Sequence, residues 1–150
     1  LRNILMKENH PTILLDGDEL RAIFGVHKFS DGNHNLESRK SLAMQYSKLC
    51  KFLSDQSINV VIATISLYKE VYKLNRDLIE NYFEIFLDIP VEILKKRDPK
   101  NIYSNFEKGL LKNVIGLDIA FDKPNPHLKI KFSDNLSSNQ IAWKIKNEFL

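Results

Sequence analysis

The sequence predicts a single α/β domain in which a parallel β-sheet carries helices on both faces. Three short runs of apolar and β-branched residues, at 12–15, 59–65 and 82–87, alternate with segments whose apolar residues recur at helical spacing. Strands that alternate with helices favour parallel pairing, because parallel neighbours need a crossover connection. A chain of 150 residues is long enough to bury one core, so we expect one domain over residues 1–150.

The boundaries of the elements follow from local breakers. A short helical end at 1–6 stops before Pro11, which cannot continue a helix. A polar loop at 25–35 separates the first strand from the helix that follows it. We expect helices at 37–56, 68–78, 91–96 and 140–150, a basic, glycine-containing segment at 97–116 and an edge strand at 128–132. Trp143 and Phe149 lie on the apolar face of the last helix, so we expect both in the core.

Composition narrows the class of ligand. The 22 basic and 19 acidic side chains leave a net charge of only +3, spread along the chain, which suits a small anionic ligand better than a nucleic acid. The single cysteine, Cys50, excludes an internal disulfide and is expected as a packed thiol. No apolar run approaches the length of a membrane span and no signal sequence is recognisable. We therefore expect a cytoplasmic protein without a membrane or nucleic-acid partner.

The most informative stretch is the first strand and the turn after it. Four apolar or β-branched residues run into Asp16-Gly17-Asp18, with Arg21 one helical turn further on. Ligands of parallel α/β sheets bind beyond the carboxyl ends of the strands, so both carboxylates are placed where chemistry is done. They could hold a metal ion, orient a hydroxyl or accept its proton, and Arg21 suits phosphate or sulfate oxygens. The structural alternative is that Asp16 caps a helix and Arg21 is a solvated partner.

Four separated segments together resemble one family, the adenylylsulfate kinases. They are Asp16-Gly17-Asp18 with Arg21, the segment 65–68 (Ile-Ser-Leu-Tyr), the strand end 83–90 (Phe-Glu-Ile-Phe-Leu-Asp-Ile-Pro) and the segment 96–103 (Lys-Arg-Asp-Pro-Lys-Asn-Ile-Tyr). The resemblance implies the fold of the P-loop nucleoside triphosphate hydrolases. It also implies transfer of the γ-phosphoryl group of ATP to the 3′-hydroxyl of adenylyl sulfate, with magnesium as cofactor, and a homodimeric enzyme.

The same resemblance implies a role for individual residues. Asp18 matches the aspartate that orients and deprotonates the acceptor hydroxyl, and Asp16 its neighbour near magnesium. On the substrate side, Arg21 and Arg39 match arginines that grip the phosphosulfate, Phe29 an aromatic that stacks on the acceptor base, and Ile65 with Ser66 a segment beside the phosphates. Arg97 and Lys100 match the lid that covers ATP. For the two lid residues the alternative is a solvated helix end.

Two departures from the family pattern carry expectations of their own. The glycine-rich phosphate-binding loop of the family has no counterpart in residues 1–150, so we expect the domain to be incomplete at its N-terminus, with the first strand and that loop missing. In the acceptor region, the positions of a family asparagine, a paired arginine and an aromatic fall on Leu42, Met44, Gln45 and Val114. A paralogous kinase of cytidine diphosphoramidate, from surface-polysaccharide pathways, is therefore an alternative. An inactive nucleotide-binding module is a second one.

Overall fold

The computed structural model describes residues 1–25, 36–133 and 135–150. Strands alternate with helices along the chain, as the sequence predicts. The helices are α1 (Arg2–Lys7), α2 (Gly17–Ile23), α3 (Leu36–Ser54), α4 (Lys69–Leu78), α5 (Val91–Arg97), α6 (Ile102–Glu107) and α7 (Ser138–Phe149). The strands are β1 (Thr12–Asp16), β2 (Asn59–Ala63), β3 (Ile85–Asp88) and β4 (Leu128–Lys131).

Both strand pairs are parallel, which confirms the predicted α/β class. Strand β1 pairs with β2 in a register that places Asp16 opposite Ala63, and β3 pairs with β4 so that Asp88 lies opposite Lys131. Within the described residues the four strands form two two-stranded sheets, because β2 and β3 do not pair with each other. The expected sheet is therefore present as two parallel halves.

A cavity of about 530 Å³ separates the two halves. The consecutive residues 58–62, which include most of β2, line one side, and residues 81–86, which lead into β3, line another. The buried Tyr46 hydroxyl and the Glu84 Oε1 atom border this cavity, and neither has a hydrogen-bond partner among the described residues. The other carboxylate oxygen of Glu84 is paired with Arg76 at 2.8 Å. The cavity thus combines apolar walls with the unpaired edges of two strands.

The start of α2 packs closely against the end of β2. A Cβ atom added at Gly17 would lie 3.0 Å from Thr64 Cγ2 and 3.1 Å from the carbonyl oxygen of Ala63, both tighter than ordinary van der Waals contact. Gly17 is itself buried. Glycine at this position therefore allows the two strand ends, and the residues that follow them, to approach each other.

Helices α3 and α4 form the best-packed part of the core. Ala43 on α3 packs with Tyr68 and Val71, all of them at most 4% exposed. An ion pair of 3.0 Å between Lys40 and Glu70 links the outer faces of the same two helices. Cys50 lies buried on α3, as expected. Packing of an apolar helical face, rather than polar contacts, is the main source of stability in such a core.

Two local expectations differ from the structure. The segment after α5 was expected only as a basic, glycine-containing stretch, yet it contains α6. Trp143 is 43% exposed, so its predicted place in the core is wrong, whereas Phe149 is half-buried and packs against Phe83 with ring centroids 5.6 Å apart. Among the helices in residues 1–25, 36–133 and 135–150, none has the length and apolar character needed to cross a membrane.

Candidate active site

The candidate site begins at the carboxyl end of β1, where Asp16 closes the strand and opens α2. Asp16 is the N-cap of α2: its Oδ1 atom accepts hydrogen bonds from the backbone N–H of Asp18 at 2.8 Å and of Glu19 at 3.4 Å. The helix-cap alternative for Asp16 is therefore confirmed. A carboxylate engaged through one oxygen in this way is held in a fixed orientation at the strand end.

Asp18 is the point where three elements meet. Its carboxylate forms ion pairs with Arg21, one turn along α2, and with Lys100 in the connection between α5 and α6. Lys100 is separated from Asp18 by 82 residues, so this contact is made by the fold and not by local sequence. The structure thus brings together one predicted catalytic residue, one predicted acceptor residue and one predicted lid residue.

The turn that carries Lys100 is shaped by Asp98. The Asp98 carboxylate accepts hydrogen bonds from the backbone N–H groups of Tyr103 at 3.1 Å and Ser104 at 2.9 Å, and from the Ser104 hydroxyl at 2.7 Å. Desolvation acts to raise the pKa of Asp98, but the hydrogen bonds from Ser104 and Tyr103 outweigh it, so the pKa lies below its usual value. Asp98 therefore stays ionised and holds the first turn of α6, which fixes the loop in front of it.

The segment after β2 supplies hydroxyl groups beside the β1–α2 turn, which carries Asp16 and Asp18. Ser66 donates a hydrogen bond to Thr64 Oγ1 at 3.1 Å, and Thr64 is the residue that touches Gly17. Ile65, between them, is 66% exposed. Both predicted residues of this segment thus lie at the edge of the candidate site, while Thr64, which the sequence interpretation missed, makes the close contact.

Arg39, on α3, lies near Arg21. Burial of the guanidinium lowers the pKa of Arg39, and the positive charge of the nearby Arg21 acts in the same direction. The Tyr68 side chain, buried beneath α3, opposes this shift electrostatically. Arg39 also donates a hydrogen bond of 2.9 Å to the carbonyl oxygen of Asn113. Two arginines held near each other form an environment that favours a multiply charged anion.

Two predicted site residues remain, Arg97 and Phe29. Arg97 stacks its guanidinium over the ring of Phe132, which directly follows β4, at 5.2 Å from the ring centroid. Phe29 lies outside the described residues, so its stacking role stays a prediction. The sequence interpretation also missed Asn113, which faces Arg39. A glycine and an aspartate in the short segment 113–118 were the available signal for a turn there.

The oxygen ligands of the site would hold magnesium only together with a substrate and water. Asp16 and Asp18 offer carboxylate oxygens, and Thr64 and Ser66 offer hydroxyls across the turn. Within the described residues there is no group of three or more His, Cys, Asp or Glu side chains that could hold a metal ion. Mg²⁺ is commonly bound by one or two carboxylates together with substrate phosphates and water. The residues present fit that shared mode.

A parallel α/β fold that gathers carboxylates and cations beyond the ends of its strands is typical of a nucleotide-binding phosphotransferase. Comparison with known proteins identifies the family within this class. A sequence model described as adenylylsulphate kinase matches residues 1–131, and the chain belongs to that family.

Individual relatives agree with this assignment. The chain is 37% identical over 134 residues to the cytidine diphosphoramidate kinase of Campylobacter jejuni, a match that covers 89% of this chain and 74% of the relative. It is 34% identical over 144 residues to the adenylyl-sulfate kinase of Thermodesulfovibrio yellowstonii, covering 94% and 70%. A solved structure of the APS kinase from Mycobacterium tuberculosis, in complex with AMPPNP and APS, superposes with a TM-score of 0.85 at 25% identity, covering 98% and 84%.

Proposed function

We propose that this domain transfers the γ-phosphoryl group of ATP to the 3′-hydroxyl of an activated nucleotide, with adenylyl sulfate as the first acceptor to test. The observation that carries the proposal is the Asp18 carboxylate, held at the end of β1 between Arg21 and Lys100. Phosphoryl transfer depends chiefly on positioning and on neutralising charge. A carboxylate at the acceptor hydroxyl, with one cation from the acceptor side and one from the donor side, supplies both.

In the proposed reaction, the Asp18 carboxylate orients the 3′-hydroxyl and takes its proton. The new bond forms between the 3′-oxygen and the γ-phosphorus, the bond from the γ-phosphorus to the bridging oxygen breaks, and ADP leaves. Lys100 reaches Asp18 from the α5–α6 connection, so its ammonium lies beside the reacting oxygen, where negative charge develops. Mg²⁺ bound at Asp16 would neutralise charge on the phosphates. Arg97 would close the lid over ATP.

Arg21 and Arg39 would bind the acceptor nucleotide. Burial lowers the pKa of Arg39, and the positive charge of the nearby Arg21 acts in the same direction. An acceptor with two negatively charged groups in its diphosphate-like tail would interact with both cations. Ser66 and Ile65 would border the same substrate.

Cytidine diphosphoramidate is a second candidate acceptor, supported by the residues of the acceptor side. Val114 is only 7% exposed and occupies the position expected for an aromatic, while Gln45 on α3 replaces an expected arginine. Valine offers less surface for stacking than an aromatic ring, and a pyrimidine needs less than a purine. The Campylobacter jejuni relative whose name states this activity is 37% identical to the chain.

The test is a coupled ATP-turnover assay on the full-length protein with magnesium, offering both acceptors in parallel at low concentration. Preference for adenylyl sulfate supports the first assignment, and preference for cytidine diphosphoramidate supports the second. No turnover of either acceptor by folded protein would overturn the proposed function in favour of an inactive nucleotide-binding module. Identification of the product as the 3′-phosphate, by phosphorus NMR, completes the assignment.

The family resemblance also supports a homodimer as the assembled state. Light scattering coupled to size-exclusion chromatography would give the mass in solution. A mass equal to one chain at assay concentrations would contradict this part of the proposal.

A further inference from the structure

The turn that faces Arg39 is organised by a single carboxylate. Asp118 accepts hydrogen bonds from the backbone N–H groups of Asn113 at 2.7 Å and of Val114 at 2.5 Å, one with each carboxylate oxygen. Further backbone bonds close the same turn, from Gly116 N to Ile119 O at 2.8 Å and from Ile119 N to Val114 O at 3.2 Å. The turn of residues 113–119 is thus built around the Asp118 side chain.

The backbone of this turn needs such support. Asn113 has a φ of 63° and Gly116 a φ of 87°, so two positions of the turn lie in the left-handed region. For a residue other than glycine this conformation is uncommon and persists where surrounding contacts over-determine it. Val114 is buried and Ile115 packs against the core formed by α3 and α4, which anchors one end of the turn. The two hydrogen bonds from Asn113 and Val114 to Asp118 tie the opposite end of the turn to this anchored end.

The conformation of the turn decides where one carbonyl points. With its N–H donated to Asp118, Asn113 directs its carbonyl oxygen to the Arg39 guanidinium at 2.9 Å. Asp118 also acts on Arg39 electrostatically, since its negative charge raises the pKa of Arg39. A chain of contacts therefore leads from Asp118 through Asn113 to Arg39, and Arg39 lies close to Arg21.

We propose that Asp118 is a positioning residue for acceptor binding, which fixes the 113–119 turn so that the Asn113 carbonyl holds the Arg39 guanidinium beside Arg21. The role rests on the proposed function, because Arg39 is assigned to the acceptor there. Asp118 touches neither substrate nor reacting atoms. Its loss should impair the binding of the acceptor and leave the binding of ATP and the chemical step nearly intact.

Steady-state kinetics of Asp118→Ala and Asp118→Asn test this with whichever acceptor the wild-type protein uses. Loss of a charge-assisted hydrogen-bond pair is expected to raise the KM for the acceptor about tenfold in the alanine variant. The rise should be smaller in the asparagine variant, which keeps one acceptor oxygen. The KM for ATP and kcat at saturating acceptor should stay within about twofold to threefold. An unchanged acceptor KM in the alanine variant would overturn the proposal.

Asp122→Asn is the matched control. Asp122 belongs to the same segment and also accepts a backbone hydrogen bond, from Lys69 N at 2.8 Å, but it supports the start of α4 and not the turn. A general loss of packing in this segment would raise the acceptor KM in both variants. A selective rise in the Asp118 variants separates positioning of Arg39 from loss of stability.

A second readout does not depend on any nucleotide. In protein labelled with ¹⁵N-arginine, the Nε–H resonance of Arg39 reports whether its guanidinium is held, and exchange of the Asn113 and Val114 amides reports the turn. Asp118→Ala should shift or broaden the Arg39 resonance and speed exchange of both amides by about tenfold or more. If the wild-type protein phosphorylates neither acceptor, the proposed function fails, yet these signals still decide whether Asp118 positions Arg39. An unaltered Arg39 resonance in Asp118→Ala would refute that step.

Discussion

The β1–α2 turn and the α5–α6 connection bring side chains to the same carboxylate by different means. The β1–α2 turn is held by packing and by helix capping, since Gly17 packs against Thr64 and Asp16 accepts hydrogen bonds from two backbone N–H groups of α2. The second reaches Asp18 through one side chain, Lys100, in an ion pair whose partners are 57% and 50% exposed. Exposed ion pairs contribute little to stability and break readily. The comparison indicates a fixed side, at the β1–α2 turn, and a proposed donor side, at the α5–α6 connection, whose contact with Asp18 depends on one exposed side chain.

The largest effect is expected where the two regions meet. Asp18→Asn removes the proposed proton acceptor and both of its ion pairs, and should lower kcat by about 10²-fold to 10⁴-fold, the usual contribution of a general base. The measurement is steady-state turnover with the preferred acceptor. Asp55→Asn, which removes another exposed carboxylate paired with a lysine, serves as control and should leave turnover unchanged. Turnover of Asp18→Asn within a few-fold of wild type would refute the role of Asp18.

A smaller loss of activity is expected when Lys100, on the proposed donor side, is the residue changed. Lys100→Gln should lower kcat/KM for ATP by about tenfold, because a cation beside the transferred phosphoryl group is lost. The free energy of unfolding should change by less than about 1 kcal/mol, as for an exposed ion pair. Lys95→Gln is the matched control, since Lys95 pairs with Glu107 at 2.7 Å in the same helical hairpin and lies outside the site. Equal losses of activity in both variants would contradict a specific role for Lys100.

A substitution at Gly17, in the β1–α2 turn, should have the smallest effect on turnover of the three and the clearest effect on the stability of the fold. Gly17→Ala places a methyl group 3.0 Å from Thr64 Cγ2, and such overpacking costs about 1–3 kcal/mol. Thermal unfolding should therefore occur at a lower temperature. Adding Thr64→Ser removes Cγ2 and should restore part of the loss, but not all, because the Ala63 carbonyl stays 3.1 Å away. If Gly17→Ala unfolds at the wild-type temperature, the turn is less tightly packed than the contact distances imply.

The sequence predicted the parts of the site that depend on local pattern. Alternation of apolar runs and helices gave the α/β class, and an aspartate after a strand gave both the candidate carboxylate and the helix cap that Asp16 forms. Helix α6 was missed because it depends on Asp98 reaching forward to Ser104, which no hydrophobic period records. The sequence interpretation also had no means to find the pairing of Lys100 with Asp18.

The apolar residues of α7 show a second limit of prediction from sequence. Trp143 and Phe149 were both predicted on the apolar face, yet at 3.6 residues per turn they lie about 120° apart around α7, and the structure exposes the first and packs the second against Phe83. Helical period identifies a face but not how far the neighbouring elements extend to cover it. The same holds for the sheet: each of the four described strands was predicted, but which strands pair was not, since pairing depends on contacts between distant parts of the chain.

The cavity between the two sheet halves also has a consequence for what the sheet can pair with. Along β2 and β3, one edge of each strand is unpaired within the described residues, beside apolar walls. Edges of this kind act as templates for extended segments of other polypeptides, and natural proteins usually cover or charge them. An extended segment that paired with both edges would join the two halves into one continuous sheet.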